Sequence, residues 1–202
     1  EPISCRLVFD LLRTAGADRV MSVDLHAAQT QGFFDGPVDH LIAMPVLVDY
    51  IRDRFDGHLD NVTVVSPDAG RIRVAEQWAQ RLGGGPLAFV HKTRDITRPN
   101  QAKANRVVGD VKGKDCVLVD DLIDTAGTIA GACQVLREAG ARSVTVVATH
   151  GVLSGPAVDR LKTCGAREVV LTDTVPIPEE KRWDGLTVLS IAPLLSSAIK
   201  AV

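Results

Sequence analysis

Short apolar runs alternate along this chain with longer segments in which apolar residues recur every three or four positions. Runs of the first kind have the length of β-strands, and segments of the second kind have the period of an amphipathic α-helix. We predict strands at residues 19–25, 61–66, 87–91, 107–111, 116–119, 143–149, 168–171 and 187–191. Because strands and helices alternate, the pattern predicts an α/β fold in which a parallel sheet is covered by helices on both faces.

The predicted helices have identifiable ends. Pro45 stands where the first residue of a helix would be, since its fixed φ suits the first helical turn. Gly140 supplies a C-terminal stop. Helices are predicted at residues 4–15, 46–55, 70–82, 129–139, 156–164 and 194–202. Residues 29–40 and 92–106 follow neither period, and we predict that both segments are loops.

The composition limits the classes of function. Of 202 residues, 46% are hydrophobic and 24% charged, which is typical of a globular protein. A net charge of −2 gives no electrostatic reason to bind nucleic acid or an acidic membrane surface, and no apolar run approaches bilayer length. The four cysteines form no CxxC pair and no zinc-like spacing with the histidines. We therefore expect a reduced, cytoplasmic protein with no nucleic-acid or membrane partner.

The most informative segment is the corner at residues 116–128, CVLVDDLIDTAGT. Here an apolar run is closed by an acidic pair, and a helix follows the next turn. Backbone N–H groups at such a turn, together with the helix dipole, favour a phosphate dianion. The acidic pair would repel a polyphosphate but accepts hydrogen bonds from vicinal hydroxyls, so the two features together describe a pentose 5-phosphate. We assign to this pocket Asp120, Asp121, Asp124, Thr125, Ala126, Gly127 and Thr128.

Two strand ends carry further candidates. Asp24 and His26 end the first predicted strand and share one face of it, because residues two apart in a strand point the same way. A histidine there can ligate a divalent ion, bind a phosphate oxygen, or be structural. Asp68, in the turn SPDAG, is placed either to reach a metal ion or to cap the next helix.

The loop predicted at residues 92–106 is cationic. Lys92 and Arg94 open it, and it holds five cations against one acid in fifteen residues. A cationic flap of this kind suits phosphoryl transfer, where charge on the transferring group must be neutralised. The alternative is an ordinary solvated loop.

Several of these strings, in this order, resemble known signatures. The corner at residues 116–128 resembles the phosphoribosyl-diphosphate-binding fingerprint that type I phosphoribosyltransferases and ribose-phosphate diphosphokinases share. The strings VDLH with QTQGFFDGPVDH, SPDAG, HKTRD and THGVLS are similar to those of the diphosphokinases, and the resemblance extends over essentially all of the chain. Phosphoribosyltransferases lack the GFF segment.

The resemblance implies an activity and roles for these residues. Family members transfer the diphosphoryl group of Mg²⁺-bound ATP to the O1 hydroxyl of ribose 5-phosphate, for nucleotide biosynthesis. His26 and Asp68 would then position Mg–ATP, and Lys92 and Arg94 would stabilise the transition state, with Arg94 also contacting ribose 5-phosphate. Asp120 and Asp121 would hold the ribose hydroxyls or their bound Mg²⁺.

The resemblance also implies a domain organisation. It predicts two similar phosphoribosyltransferase-type domains, the first incomplete here at residues 1–43 and the second at residues 44–192, with residues 193–202 packing back on the first. A homohexamer with ATP sites between subunits is implied, and we expect the chain by itself to be inactive. Two rival interpretations are a type I phosphoribosyltransferase and a non-catalytic regulatory paralogue; the GFF segment argues against the first, and the intact Lys92 and Arg94 against the second.

Overall fold

The computed structural model describes residues 2–93 and 104–202 and confirms the predicted α/β class. In chain order, the elements are α1 (Pro2–Thr14), β1 (Val20–Val23), β2 (Val38–Leu41), α2 (Met44–Arg54), β3 (Val62–Ser66), α3 (Ile72–Arg81), β4 (Leu87–Thr93), β5 (Ala104–Val108), β6 (Asp115–Ile123), α4 (Gly127–Glu138), β7 (Ser143–Gly151), α5 (Ala157–Thr163), β8 (Glu168–Thr172), β9 (Leu186–Leu189) and α6 (Ala192–Lys200). Short 3₁₀ helices lie at Ala28–Phe33, Ala69–Arg71 and Glu179–Lys181.

The chain divides into two compact units. Unit 1 consists of Glu1–Ala43 and Ala192–Val202, and unit 2 consists of Met44–Ile191. In unit 1, β1 and β2 pair in parallel, with Val20 opposite Val38. We did not predict β2, because its sequence VDHL is short and half polar and lies in a segment without a strand period.

Helix α1 of unit 1 has apolar residues on more than one side. Phe9 is buried, and its ring packs against that of Phe34 with centroids 5.8 Å apart. Leu7, Val8 and Leu11 are each more than half exposed. The helix therefore buries one aromatic side chain and exposes several aliphatic ones.

Unit 2 is built on one seven-stranded sheet with the order β5-β4-β3-β6-β7-β8-β9. Its strands pair in parallel except β5, which is antiparallel to β4. We predicted a strand at residues 107–111, but the observed strand β5 begins earlier, at Ala104, and only residues 107 and 108 of the predicted range lie in it. Strand β5 ends at Val108 because Gly109 has φ +112°, and a Cβ there would lie 2.7 Å from that of Ala88. Of the segment predicted as a loop at residues 92–106, residues 92–93 belong to β4 and residues 104–106 to β5, and the rest lies outside the described residues.

Helices cover both faces of this sheet. Cys116 and Leu118 of β6 belong to a core that includes residues of α4 and α5, and Val117 and Val119 belong to a second core that includes residues of α2 and α3. Because both faces are buried, residues 116–119 of β6 form an unbroken apolar run rather than an alternating one. Replacing fully buried Leu118 with alanine would cost about 2–5 kcal/mol of stability. No helix in the described part of the chain has the length and apolar character that a membrane span needs.

Candidate functional site

The order of strands in unit 2 indicates where a ligand binds. From β3 the chain runs to β4 and β5 on one side of the sheet, and it then returns to β6 on the other side of β3. The carboxyl ends of β3 and β6 therefore form the point at which the strand order reverses. Open α/β sheets bind ligands in the crevice outside such a point.

The turn from β6 into α4 has the geometry of an anion cradle. Ala126 precedes the first residue of the helix and has φ +58°, a left-handed conformation that costs a non-glycine residue about 1–2 kcal/mol. The first helical hydrogen bond runs from Ala130 N to Ala126 O at 2.9 Å. N–H groups in the first turn of a helix have no partner within it, and the helix dipole makes them attractive to an anion. We call residues 124–128 the phosphate loop.

Asp120 and Asp121, the acidic pair, lie just before this loop. We predicted that they follow the strand, but β6 continues through Ile123, because β7 pairs with it as far as Ile123 opposite Gly151. The acidic pair is therefore held by the sheet itself. Its two side chains are only 14% and 15% exposed.

Arg71 neutralises part of this charge. Its Nη2 donates to Asp121 Oδ2 at 2.5 Å, and its Nε lies 3.9 Å from Asp120 Oδ1. Asp120 Oδ1 also accepts a hydrogen bond from the backbone N–H of Asp121 at 2.9 Å. We did not predict this role of Arg71. A basic residue shortly after the end of β3, the strand beside β6, could have indicated it.

The surroundings change the acidity of Asp120. Burial is the largest cause, followed by the hydrogen bond and the charge of Asp121, and together they raise the pKa of Asp120 from 3.8 to about 7. Asp120 therefore holds its proton up to about pH 7. A group that offers positive charge or hydrogen-bond donors, such as a metal ion or a diol, would satisfy it in the ionised form.

Asp68 follows β3 at the same edge of the sheet. Its Oδ1 accepts a hydrogen bond from Gly70 N at 2.8 Å, so it caps the 3₁₀ helix that precedes α3. The capping alternative is therefore seen in the structure. The same contact fixes the carboxyl group at the strand-order reversal, close in sequence to Arg71.

The candidates near β1 are placed differently from our prediction. Strand β1 ends at Val23, so neither Asp24 nor His26 lies in it, and the argument that they share a strand face was wrong. Asp24 has φ +42°, which ends the extended backbone, and its Oδ2 accepts from Ala43 N at 3.2 Å. Both residues belong to unit 1, whereas the phosphate loop, the acidic pair and Asp68 belong to unit 2.

The structure describes only one of the two predicted catalytic cations, and only its backbone. The backbone of Lys92 lies in β4, opposite Asn105 of β5. Arg94 falls outside the described residues.

The chemistry of the acidic pair fits a magnesium ion that a substrate shares. In the described part of the chain, no three histidine, cysteine, aspartate or glutamate side chains come together as a metal site. Mg²⁺ does not require such a cage, because it commonly takes one or two carboxylates and completes its shell with water and substrate oxygens. Asp120 and Asp121 supply two such carboxylates.

Comparisons with known proteins give a consistent result. Residues 89–202 match the family described as Phosphoribosyl synthetase-associated domain. The chain is 92% identical over 202 residues to a protein of Bifidobacterium longum named Ribose-phosphate pyrophosphokinase, and 64% identical to one of the same name from Corynebacterium efficiens. All of the chain is matched, and it spans 59% and 61% of those proteins. The crystal structure of phosphoribosylpyrophosphate synthetase from Mycobacterium smegmatis superposes with a TM-score of 0.90 at 62% identity, covering all of this chain and 64% of that one.

Proposed function

Since this chain belongs to the phosphoribosyl synthetase family, we propose that the protein of which it forms part is a ribose-phosphate diphosphokinase. It transfers the diphosphoryl group of ATP to the O1 hydroxyl of ribose 5-phosphate, which gives 5-phosphoribosyl 1-diphosphate and AMP for nucleotide biosynthesis.

The main support for this proposal is the position of the phosphate loop. It follows the acidic pair at the edge of the sheet where the strand order reverses. The loop and the acidic pair favour chemically different groups. The loop favours a dianion, whereas Asp120 and Asp121 repel one and accept hydrogen bonds from hydroxyls. A pentose 5-phosphate satisfies both when its phosphate lies on the loop and its 2- and 3-hydroxyls on the acidic pair, so its orientation is fixed.

Orientation and charge then account for the reaction. The sugar held in this way presents its O1 hydroxyl to the β-phosphorus of ATP, and no covalent nucleophile on the protein is required. Mg²⁺, when bound, would neutralise charge on the phosphates, and Asp120 and Asp121 would hold an ion that the ribose hydroxyls share. We assign to Lys92 and Arg94 the stabilisation of charge on the transferring group, and to His26 and Asp68 the positioning of Mg–ATP.

The experiment is a product analysis with the full-length protein, ATP, Mg²⁺ and ribose 5-phosphate. The proposal predicts AMP and phosphoribosyl diphosphate in equal amounts, seen by ³¹P NMR, with no nucleobase present. Turnover that requires phosphoribosyl diphosphate and a nucleobase would instead identify a phosphoribosyltransferase. Binding of ribose 5-phosphate without any turnover would identify a non-catalytic paralogue.

A pair of lysine variants tests the assigned roles. Lys92→Ala should abolish turnover while ribose 5-phosphate still binds, because the phosphate loop is untouched. Lys162→Ala removes the same charge from the exposed surface of α5 and should leave turnover unchanged. Equal turnover of the two variants would contradict the role given to Lys92.

A further inference from the structure

Two consecutive carbonyl groups at the start of the phosphate loop accept hydrogen bonds from one neighbouring segment. The carbonyl oxygen of Ile123, at the end of β6, accepts from the N–H groups of Val152 and Leu153 at 3.0 and 3.1 Å. The carbonyl oxygen of Asp124 accepts from Ser154 N at 2.9 Å. Successive peptide groups are thus anchored, one after another, to the chain that leads from β7 into α5.

The next peptide group is held by a side chain instead. Arg160 of α5 donates from Nη1 to the carbonyl oxygen of Thr125 at 2.9 Å. In a trans peptide, the C=O and the following N–H point in opposite directions. The N–H groups of Asp124, Thr125 and Ala126 therefore point away from the segment that binds their carbonyl partners.

A charged donor on a carbonyl does more than fix its position. It polarises the whole peptide group, so that the N–H at the other end becomes a stronger donor. The group that Arg160 polarises carries the N–H of Ala126, the residue in the left-handed conformation. Arg160 thus acts on the peptide where the loop is most strained and where the proposed phosphate lies.

The anchoring segment is itself restrained. Leu153 is fully buried and has φ +52°, a second left-handed residue that is not glycine. Its carbonyl oxygen accepts from Lys181 Nζ at 2.9 Å. The segment is therefore held in place by its own contacts. Arg160, in the helix that follows it, donates the hydrogen bond to Thr125.

We propose that Arg160 is a positioning residue for ribose 5-phosphate: by binding the Thr125 carbonyl, it holds the Thr125–Ala126 peptide so that the Ala126 N–H donates to the 5-phosphate. This inference rests on the proposed function of the phosphate loop. Arg160 does not touch the substrate in this scheme, and its effect passes through the peptide that it binds.

The test uses the full-length protein with Arg160→Met, Arg160→Lys and, as a control from the same helix, Lys162→Met. Arg160→Met should raise the KM for ribose 5-phosphate roughly tenfold, the worth of one charge-assisted hydrogen bond. The kcat and the KM for ATP should change less than about twofold, because contact with the 5-phosphate is equal in the ground and transition states. Arg160→Lys should recover part of the loss, and Lys162→Met should resemble the unmodified protein.

Melting temperatures and a loop variant separate the alternatives. Arg160 is exposed, so Arg160→Met should melt within about 2 °C of the unmodified protein. Thr125→Val, which removes a loop hydroxyl, should also raise the KM for ribose 5-phosphate. If Thr125→Val does so and Arg160→Met does not, the role of Arg160 is overturned while the site stands. If neither variant changes the KM for ribose 5-phosphate, both the phosphate site and the role of Arg160 are refuted. An equal rise in both KM values with a lower melting temperature would show a structural role only.

Discussion

Replacing Asp120 with asparagine tests the electrostatics of the acidic pair, because the charge is lost while the shape and one acceptor oxygen remain. Burial and the neighbouring Asp121 raise the pKa of Asp120 from 3.8 to about 7. Each unit of pKa corresponds to about 1.4 kcal/mol, so this rise makes the charged form of Asp120 about 4 kcal/mol less favourable in the folded protein. The Asp120 side chain is 14% exposed, so water screens part of this unfavourable energy. We therefore expect the charge on Asp120 to lower the free energy of unfolding by about 2 kcal/mol.

The size of this cost depends on pH. Below the ordinary pKa of 3.8, the carboxyl is protonated in both the folded and unfolded chains, and its charge costs nothing. As the pH rises, the unfolded chain loses its proton first, so stability falls until the folded carboxyl ionises near pH 7. Asparagine has no proton to lose. The advantage of Asp120→Asn should therefore grow from near zero at about pH 4 to about 2 kcal/mol at about pH 8, or roughly 4–8 °C in Tm.

The assay is thermal unfolding of the full-length protein from about pH 4 to about pH 8, with EDTA and without substrate. Asp49→Asn is the matched control, since that side chain is 74% exposed, and it should show no such trend. The same Asp120→Asn protein should bind ribose 5-phosphate more weakly, because an amide is a poorer acceptor for the ribose hydroxyls than a carboxylate. If Asp120→Asn were less stable than the unmodified protein at the upper pH, or if the difference did not vary with pH, the reasoning would be refuted.

Three further changes have defined outcomes. Asp115→Asn should cost about 2 kcal/mol in denaturant unfolding at neutral pH, because the Arg142 guanidinium, which donates to this buried carboxylate, holds the pKa of Asp115 below its ordinary value of 3.8. That cost should shrink as the pH falls below this value, since the unmodified carboxyl then protonates as well. Ala126→Val puts a β-branched residue at φ +58° and should weaken ribose 5-phosphate binding at least tenfold in calorimetry. Tyr50→Phe removes the hydroxyl that donates to Glu168 and should lower the free energy of unfolding by about 1 kcal/mol.

Sequence reasoning was most successful where the information is local. The strand, the turn and the helix start at residues 116–128 follow from one continuous string, because an apolar run, a turn of small residues and a helix start are all encoded within thirteen residues. Local patterns were less informative about where strands end. Strand β6 runs past the acidic pair because β7 pairs with its backbone, and β5 turns antiparallel at an edge that no apolar period marks.

Contacts between segments distant in sequence could not be predicted either, because local patterns do not show which segments pack together. Arg71 and Asp121 are fifty positions apart, and only the adjacency of β3 and β6 brings them together. The link from Arg160 to Thr125 likewise depends on how α5 packs beside the loop. The error at His26 arose from assuming that a strand continues through Asp24, whose positive φ has no signature in the sequence.

The most direct test of this account is a crystal structure of the full-length protein with ribose 5-phosphate. The account predicts that phosphate oxygens lie about 3 Å from the backbone nitrogens of Ala126, Gly127 and Thr128, and that the 2- and 3-hydroxyls face Asp120 and Asp121. A sugar phosphate bound elsewhere, or one bound here with its phosphate toward the acidic pair, would contradict it.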